Sequence, residues 1–292
     1  MELMTNQTLS NYIEVPRRFH RSINIVQDSN NEAALSGYVV TPFTHELART
    51  IATAILEPHG SRAWSIVGPF GAGKSAFGTF LLDVLSRESP VIEQASSIRS
   101  SAGLGPTTWK PILLTGQRRS FGRALIDKLR SSIESNAADA SEEANIHHED
   151  DILAAVDGLL DELISRHQRV VLLIDEFGKF LEYSVLDSTK TDLFVLQHLA
   201  ERAARSNGNL VLLTIQHSSF ASYADTAGTI ATNEWRKIQG RFTDVPFYLP
   251  VEQMLALMDQ ALTHNFPFDL QRWYEDRLQV LRQCLPTSDA IV

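Results

Sequence analysis

Eight residues constrain this chain more than any other stretch. Gly68-Pro69-Phe70-Gly71-Ala72-Gly73-Lys74-Ser75 satisfy G-x-x-x-x-G-K-[ST] in full. Before them, Ala63-Trp64-Ser65-Ile66-Val67 reads as a short buried strand, and after them Ala76 to Leu85 reads as a helix. A strand that turns through glycines into a helix is a ready-made anion cradle. Backbone N–H groups wrap the phosphates where Gly71 and Gly73 allow the turn, and the helix N-terminus, opened by Ala76, adds positive potential. In that cradle Lys74 reaches the outer phosphates of a nucleotide and Ser75 ligates magnesium.

The rest of the chain alternates in the same way. Thr41-Pro42 starts a helix that ends near Gly60, a capping hydroxyl before a proline at the first helical position. Further strands are expected at Pro111-Leu114, Val170-Asp175, Leu210-Ile215 and Val245-Leu249, and helices at Phe121-Ile133, Leu193-Arg205 and around Trp235. The stripe Ile152, Val156, Leu159, Leu160, Leu163 adds a helical face. Strands alternating with helices imply a parallel sheet with helices on both faces. Proline cannot donate to a ladder, so the strands holding Pro111 and Pro246 should be the edges and the glycine-loop strand central. Residues 251–285 turn helical (Met254, Leu257, Met258, Leu262, then Trp273, Leu278, Leu281) and are expected to form a small appendage. The organisation expected is an N-terminal extension over 1–37, an α/β core over 38–250 and a partial helical lid over 251–292.

The carboxyl ends of the strands supply the chemistry. Val170-Val171-Leu172-Leu173-Ile174 delivers Asp175, expected to hold the magnesium, and Glu176, expected to orient and deprotonate the attacking water. Tandem Asp-Glu favours hydrolysis over transfer to a small metabolite, because a water nucleophile needs a positioned base. The strand ending at Ile215 delivers Gln216 and His217 to the same edge; Gln216 is favoured as the group that senses the outer phosphate, with His217 as the alternative. In Asn233-Glu234-Trp235-Arg236-Lys237-Ile238-Gln239-Gly240-Arg241-Phe242, Arg241 is favoured over Arg236 as a cation reaching a neighbouring subunit's site.

Composition is permissive. Residues 131–165 hold ten acids (Glu134, Asp139, Glu142, Glu143, Glu149, Asp150, Asp151, Asp157, Asp161, Glu162) and no Lys or Arg, which accounts for the net charge of −9 and leaves the remainder nearly neutral. Charge therefore neither demands nor excludes a DNA partner. A hydrophobic content of 43% with a mean hydropathy of −0.10 fits an ordinary globular chain. The apolar run Val170 to Ile174 is far short of the ~18 residues needed to span a bilayer, and the N-terminus lacks a secretory pattern, so a cytoplasmic location is expected. A lone cysteine, Cys284, allows no internal disulfide.

These residues resemble the AAA+ ATPases, and within them the origin-recognition initiators. The likeness rests on VGPFGAGKS, LLIDE and GRFTDVPFYLPVEQMLALM, and covers roughly Tyr38 to Leu262. It implies a three-layer P-loop fold with sheet order 5-1-4-3-2 and a short C-terminal helical lid, ATP and Mg2+ as ligands, a homo-oligomer with composite ATP sites, and adenine held by Gly37-Tyr38-Val39-Val40-Thr41. Fewer residues follow Pro250 than such a lid normally needs, which implies a reduced lid or the front of a longer protein. RSINIVQD, GYVVTP, IDEFGKFLEY and EWRKIQGRF are also similar to the ATPase module of large bacterial proteins often associated with antiviral defence. The function expected is magnesium-dependent ATP hydrolysis driving assembly or remodelling of a complex, DNA-linked or defensive. A monomeric ATP-dependent switch with slow hydrolysis is the alternative.

Other NTPase classes fit less well. The only Leu-Ser-Gly, at Leu35 to Gly37, precedes the phosphate loop, which excludes an ABC signature between the two motifs. Thr189-Lys190-Thr191-Asp192 has the letters of a guanine-reading motif but follows the third strand too closely. His147-His148 lack the i,i+4 spacing of a zinc helix.

Overall fold

The computed structural model describes residue 8 and residues 11–16, 23–133, 149–186, 191–220, 222–223 and 237–284. Arg17, Arg18, Arg21, His147, His148 and Arg236, with the helix expected around Trp235, lie outside them. The described chain divides into a unit of Ile23–Pro250 and a second that joins Met1–Ser22 to Val251–Val292.

In the larger unit, α1 (Ile25–Asp28) and α2 (Glu32–Ser36) precede α3 (Pro42–Leu56), β2 (Ala63–Val67) and α4 (Lys74–Ser86). Then come α5 (Glu93–Ser101), β3 (Lys110–Thr115), α6 (Phe121–Ile133), α7 (Glu149–His167) and β4 (Val170–Asp175). The unit closes with α8 (Gly178–Leu186), α9 (Thr191–Arg205), β5 (Leu210–Gln216) and β6 (Thr243–Pro246). The five strands form one parallel sheet ordered β3-β4-β5-β2-β6. Counted over these strands alone, with β2 as the first, that is 5-1-4-3-2 read from the β6 edge; chain numbering differs because β1 (Ile13–Glu14) lies outside this sheet. Pro111 and Pro246 fall in the two edge strands, where a missing N–H costs no ladder bond.

Strand alternation sorts the core into two layers. One side of the sheet, with Val171, Leu173, Val211, Leu213 and Ile215, packs on α3, α4 and α5 through Ile51, Phe77, Phe80 and Ile98. The other, with Ala63, Leu172, Ile174 and Leu212, packs on α6, α7 and α9 through Leu125, Leu160 and Leu199. Truncating any one of the fully buried phenylalanines is worth about 3–5 kcal/mol, so each layer is held by many residues of individually large effect.

Helix starts follow local chemistry. Thr41 and Thr44 close a capping box at the head of α3, with Pro42 in the first turn. Asn24 and Asn31 accept from the first turns of α1 and α2, so this polar stretch carries two short capped helices. Asp192 resolves the guanine-motif letters differently: buried in α9, it accepts from Ser120 Oγ (2.8 Å), Phe121 N (2.8 Å) and Gly122 N (2.9 Å), capping α6.

The second unit holds β1 (Ile13–Glu14), α10 (Val251–Ala261), β7 (Thr263–His264) and α11 (Phe268–Cys284). β1 and β7 pair antiparallel, Ile13 opposite His264, and Thr263 Oγ1 donates to Glu14 O at 3.1 Å. Helices are thus present where the appendage was expected, joined by residues from the chain's start. Among the described residues no helix is long and apolar enough to cross a membrane.

Replacing Asp192 by Ala strands two buried amides and is expected to cost about 2–4 kcal/mol. Urea unfolding reads this as a lower midpoint; an unchanged midpoint would mean that α6 needs no cap from α9.

Candidate active site

The loop from Gly68 to Gly73 leaves β2 between its two neighbours. Gly68 N donates to Gln216 O (3.2 Å) and Phe247 N to Val67 O (2.6 Å), so the loop's first residues are fixed by β5 and by the segment after β6. Gly71 and Gly73 sit at φ +74° and +87°, the left-handed conformation that only glycine adopts cheaply. No side chain caps the first turn of α4, and the amides there remain available to an anion. Ala72 packs against the core under α4 while Phe70 projects outward.

Lys74 is buried, and its ammonium bends back along the loop. Nζ donates to Gly68 O (2.6 Å) and Pro69 O (2.7 Å) and lies 3.3 Å from His217 Nδ1. Burial lowers its pKa, with the Asp175 charge opposing. The His217 ring stacks on Phe70 at 3.3 Å between centroids and 26° between planes. Burial first, and then the Lys74 charge, lower the His217 pKa.

Asp175 ends β4, only 6% exposed; its carboxylate accepts from Glu176 N at 2.8 Å and has the Ser75 hydroxyl nearby. Burial pushes its pKa up, against those hydrogen bonds and Lys74. A buried carboxylate beside a hydroxyl, at the mouth of a loop of free amides, is an all-oxygen donor set of the kind magnesium takes. The residues therefore fit the ion that the motif implies. Glu176 follows at φ +51°, a strained conformation for a non-glycine residue that clusters at functional sites. Phe177 N donates to Ile215 O (2.9 Å), and a Cβ on Gly116 would stand 1.9 Å from Glu176 O, so the turn is clamped from both sides. The Glu176 carboxylate itself is ion-paired with Lys179, one helical turn on.

Strand parity explains which strand-end residues meet the loop. Asp175 continues the row of Val171 and Leu173, and His217 that of Leu213 and Ile215, on the α4 side of the sheet. Gln216 continues the opposite row with Leu212. It is fully buried, donates from Nε2 to Ser65 Oγ (3.0 Å) and leaves Oε1 without a partner. In this structure His217, the alternative, stands beside Lys74, and Gln216 does not. Arg241 Nε meets Glu201 of α9 at 2.7 Å and Nη1 donates to Lys237 O, so the arginine is engaged within its own chain. Val39 and Val40 are half-buried in the segment before α3; Val40 packs on the layer that holds α4, as does Tyr38, stacked on Phe80 at 5.1 Å.

Sequence reasoning did not find Lys179 as the partner of Glu176, the Phe70–His217 stack or the clamp at Gly116. The i,i+3 spacing of Glu176 and Lys179 was the one legible signal.

No protein-family model matches the chain, and a search of the curated proteins returns no match. Solved structures similar to it include the Aeropyrum pernix ORC2 protein in its ADPNP and ADP complexes (TM-score 0.47, 16% identity, 78% of this chain and 54% of that one). They also include the Aeropyrum pernix ORC1 protein in complex with DNA (TM-score 0.45, 14% identity, 80% and 52%) and a Walker-type ATPase of Pyrococcus abyssi (TM-score 0.42, 14% identity, 74% and 56%). This chain spans about half the length of each. Likenesses of this size assign no activity. The sheet order and the position of the loop after the central strand agree with the arrangement that the sequence resemblance implied.

Replacing Asp175 by Asn relieves a buried charge and keeps an acceptor for Glu176 N. It is expected to stabilise the nucleotide-free protein by on the order of 1 kcal/mol. The same change should shrink the melting shift produced by magnesium and ATP. Thermal melts with and without both ligands check the pair; a variant that melts lower alone and gains as much from the ligands contradicts the assignment.

Proposed function

We propose that the chain is an ATP-binding and ATP-hydrolysing AAA+ module whose turnover requires magnesium. The observation that carries this reading is the placement of the Ser75 hydroxyl and a buried Asp175 carboxylate beside Lys74, at the head of an uncapped helix. Magnesium, held by Ser75 and Asp175, would neutralise phosphate charge. Lys74 exchanges the carbonyls of Gly68 and Pro69 for phosphate oxygens, one set of acceptors for a charged and stronger one. Val39 and Val40 flank the adenine, and backbone N–H groups of the loop from Phe70 through Ala76 hold the phosphates, since Gly68 N–H is spent on Gln216 O and Pro69 has none. Glu176, released from Lys179, orients water and takes its proton. His217 takes the sensing role at the outer phosphate, since it already touches Lys74.

Arg241 completes a neighbour's site in this reading. Its pair with Glu201 is partly exposed and worth no more than about 1 kcal/mol, so a phosphate across a subunit interface can displace it. The proposed work is assembly or remodelling of a macromolecular complex, DNA-linked or part of antiviral defence, by a homo-oligomer. One observation favours the second reading, a monomeric switch with slow hydrolysis: Glu176 and Arg241 are both tied within their own chain.

Steady-state hydrolysis against protein concentration, with and without duplex DNA and with Lys74→Ala as the blank, separates the two. Specific activity that rises with concentration supports composite sites; flat, slow turnover with tight ATP binding supports the switch. Glu176→Gln should lower kcat at least 100-fold while ATP still binds. Arg241→Ala should cost about 1000-fold, and only where the protein assembles. Parent-like turnover in either variant overturns that residue's role.

A further inference from the structure

A groove of about 430 Å3 runs along the β3 edge of the sheet, and none of the residues from Gly68 to Ser75 lines it. Its floor is Leu113, Leu114, Ala124 and Phe180, and one wall is α1 with Val26 and Gln27. The opposite wall is α6 and the loop before it.

The strand along this groove has an unused edge. Lys110 N donates to Arg169 O and Gly116 N to Asp175 O, so even-numbered residues of β3 turn their backbone groups toward β4. Residues of a parallel strand present both backbone groups to the same neighbour, and alternate residues face opposite ways. Leu113 and Thr115 therefore present N–H and C=O outward, and neither group has a partner among the described residues. Pro111, the third outward position, has no N–H to satisfy. What the edge lacks is a strand.

The rim chooses among strands. Arg119 and Lys128 line the groove beside Asp127, with Arg118 next to Arg119 in the loop before α6. Arg119 pairs with Asp127 at 2.9 Å and Arg118 with Glu182 at 3.6 Å, while Lys128 meets no carboxylate among the described residues. A second copy of this chain, pairing edge to edge, would bring these cations against their own counterparts. A nucleic acid would answer the cations but leave the apolar floor and the free backbone groups unused.

We propose that this groove takes an acidic, extended peptide segment of a partner protein, added to the sheet beside β3. Its main chain pairs with Leu113 and Thr115, alternate apolar side chains sit on Leu114 and Ala124, and its carboxylates meet Lys128 and Arg119. Strand addition of this kind draws affinity from main-chain bonds and specificity from alternate side chains. The proposal is independent of nucleotide chemistry, because no residue of the phosphate site lines the groove.

The test uses the full chain and fluorescein-labelled ten-residue peptides read by fluorescence anisotropy. The parent peptide alternates Val and Glu; one control replaces Glu by Lys, and two others carry N-methyl groups on every second amide, one in each frame. Saturable binding of the parent, none of the Lys peptide, at least a tenfold loss in one N-methyl frame only, and several-fold weakening by Lys128→Glu are expected. ATP turnover of Lys128→Glu should match the parent, which also reports that the variant folds. Absent or unsaturable binding, equal binding of the Lys peptide, or indifference to both N-methyl frames would overturn the proposal. So would duplex DNA binding that Lys128→Glu abolishes while the peptide fails to bind.

Discussion

The parallel ladder through β4, β5 and β2 decides where every reactive group stands. Val67 lies opposite Gln216, and Ile174 opposite Thr214, so three strands end together and their next residues open onto one edge. The phosphate loop is pinned at that edge by Gly68 N on Gln216 O and by Phe247 N on Val67 O. A slip of one residue in either ladder would exchange the faces of the sheet and send Asp175 away from Ser75. The two hydrophobic layers prevent that slip, because each strand in the middle of the sheet is buried on both sides. Precision at the site is therefore a consequence of core packing some distance from it.

The same edge concentrates what a stable fold otherwise avoids. Asp175 and Lys74 are buried charges, Gln216 leaves a buried oxygen unpaired and Glu176 holds a left-handed backbone. Burial acts on the two charges in opposite directions, raising the carboxylate's pKa and lowering the ammonium's, and each partly offsets the other. The groups to which the proposal gives phosphate and water all have partners within the chain: Lys74 the loop carbonyls and the His217 ring, Glu176 Lys179, Arg241 Glu201. Each of these is a partly exposed pair or a neutral acceptor. Each is weaker than a phosphate or a metal-bound water, so binding can exchange them without remodelling the sheet.

Much of this was legible in the sequence because period and proline placement are local signals. The strand runs, the edge positions of the two proline strands and the loop follow from residues that decide their own conformation, whereas the full sheet order came with the family resemblance. Helix α5 was missed because EQASSIRSS carries few apolar residues, although Ala95 and Ile98 bury the face that matters. The choice of Gln216 over His217 turned on chemistry alone, whereas the parity of β5 already placed His217 on the side of α4. Asp192 is the reverse case: its motif letters are set aside on position alone, and the structure uses the carboxylate to cap a helix from another element. Contacts such as Lys179 on Glu176 or Glu201 on Arg241 depend on tertiary placement, which no pattern of neighbours in sequence contains.

Calorimetric titration of ATP into the full chain, with and without magnesium, beside the Ser75→Ala variant, tests the central claim most directly. One-site binding that tightens at least tenfold with magnesium in the parent, and loses that dependence in Ser75→Ala, is the result predicted. Binding that ignores both magnesium and Ser75, or no binding at millimolar ATP, would contradict the site as built from the loop, Ser75 and Asp175.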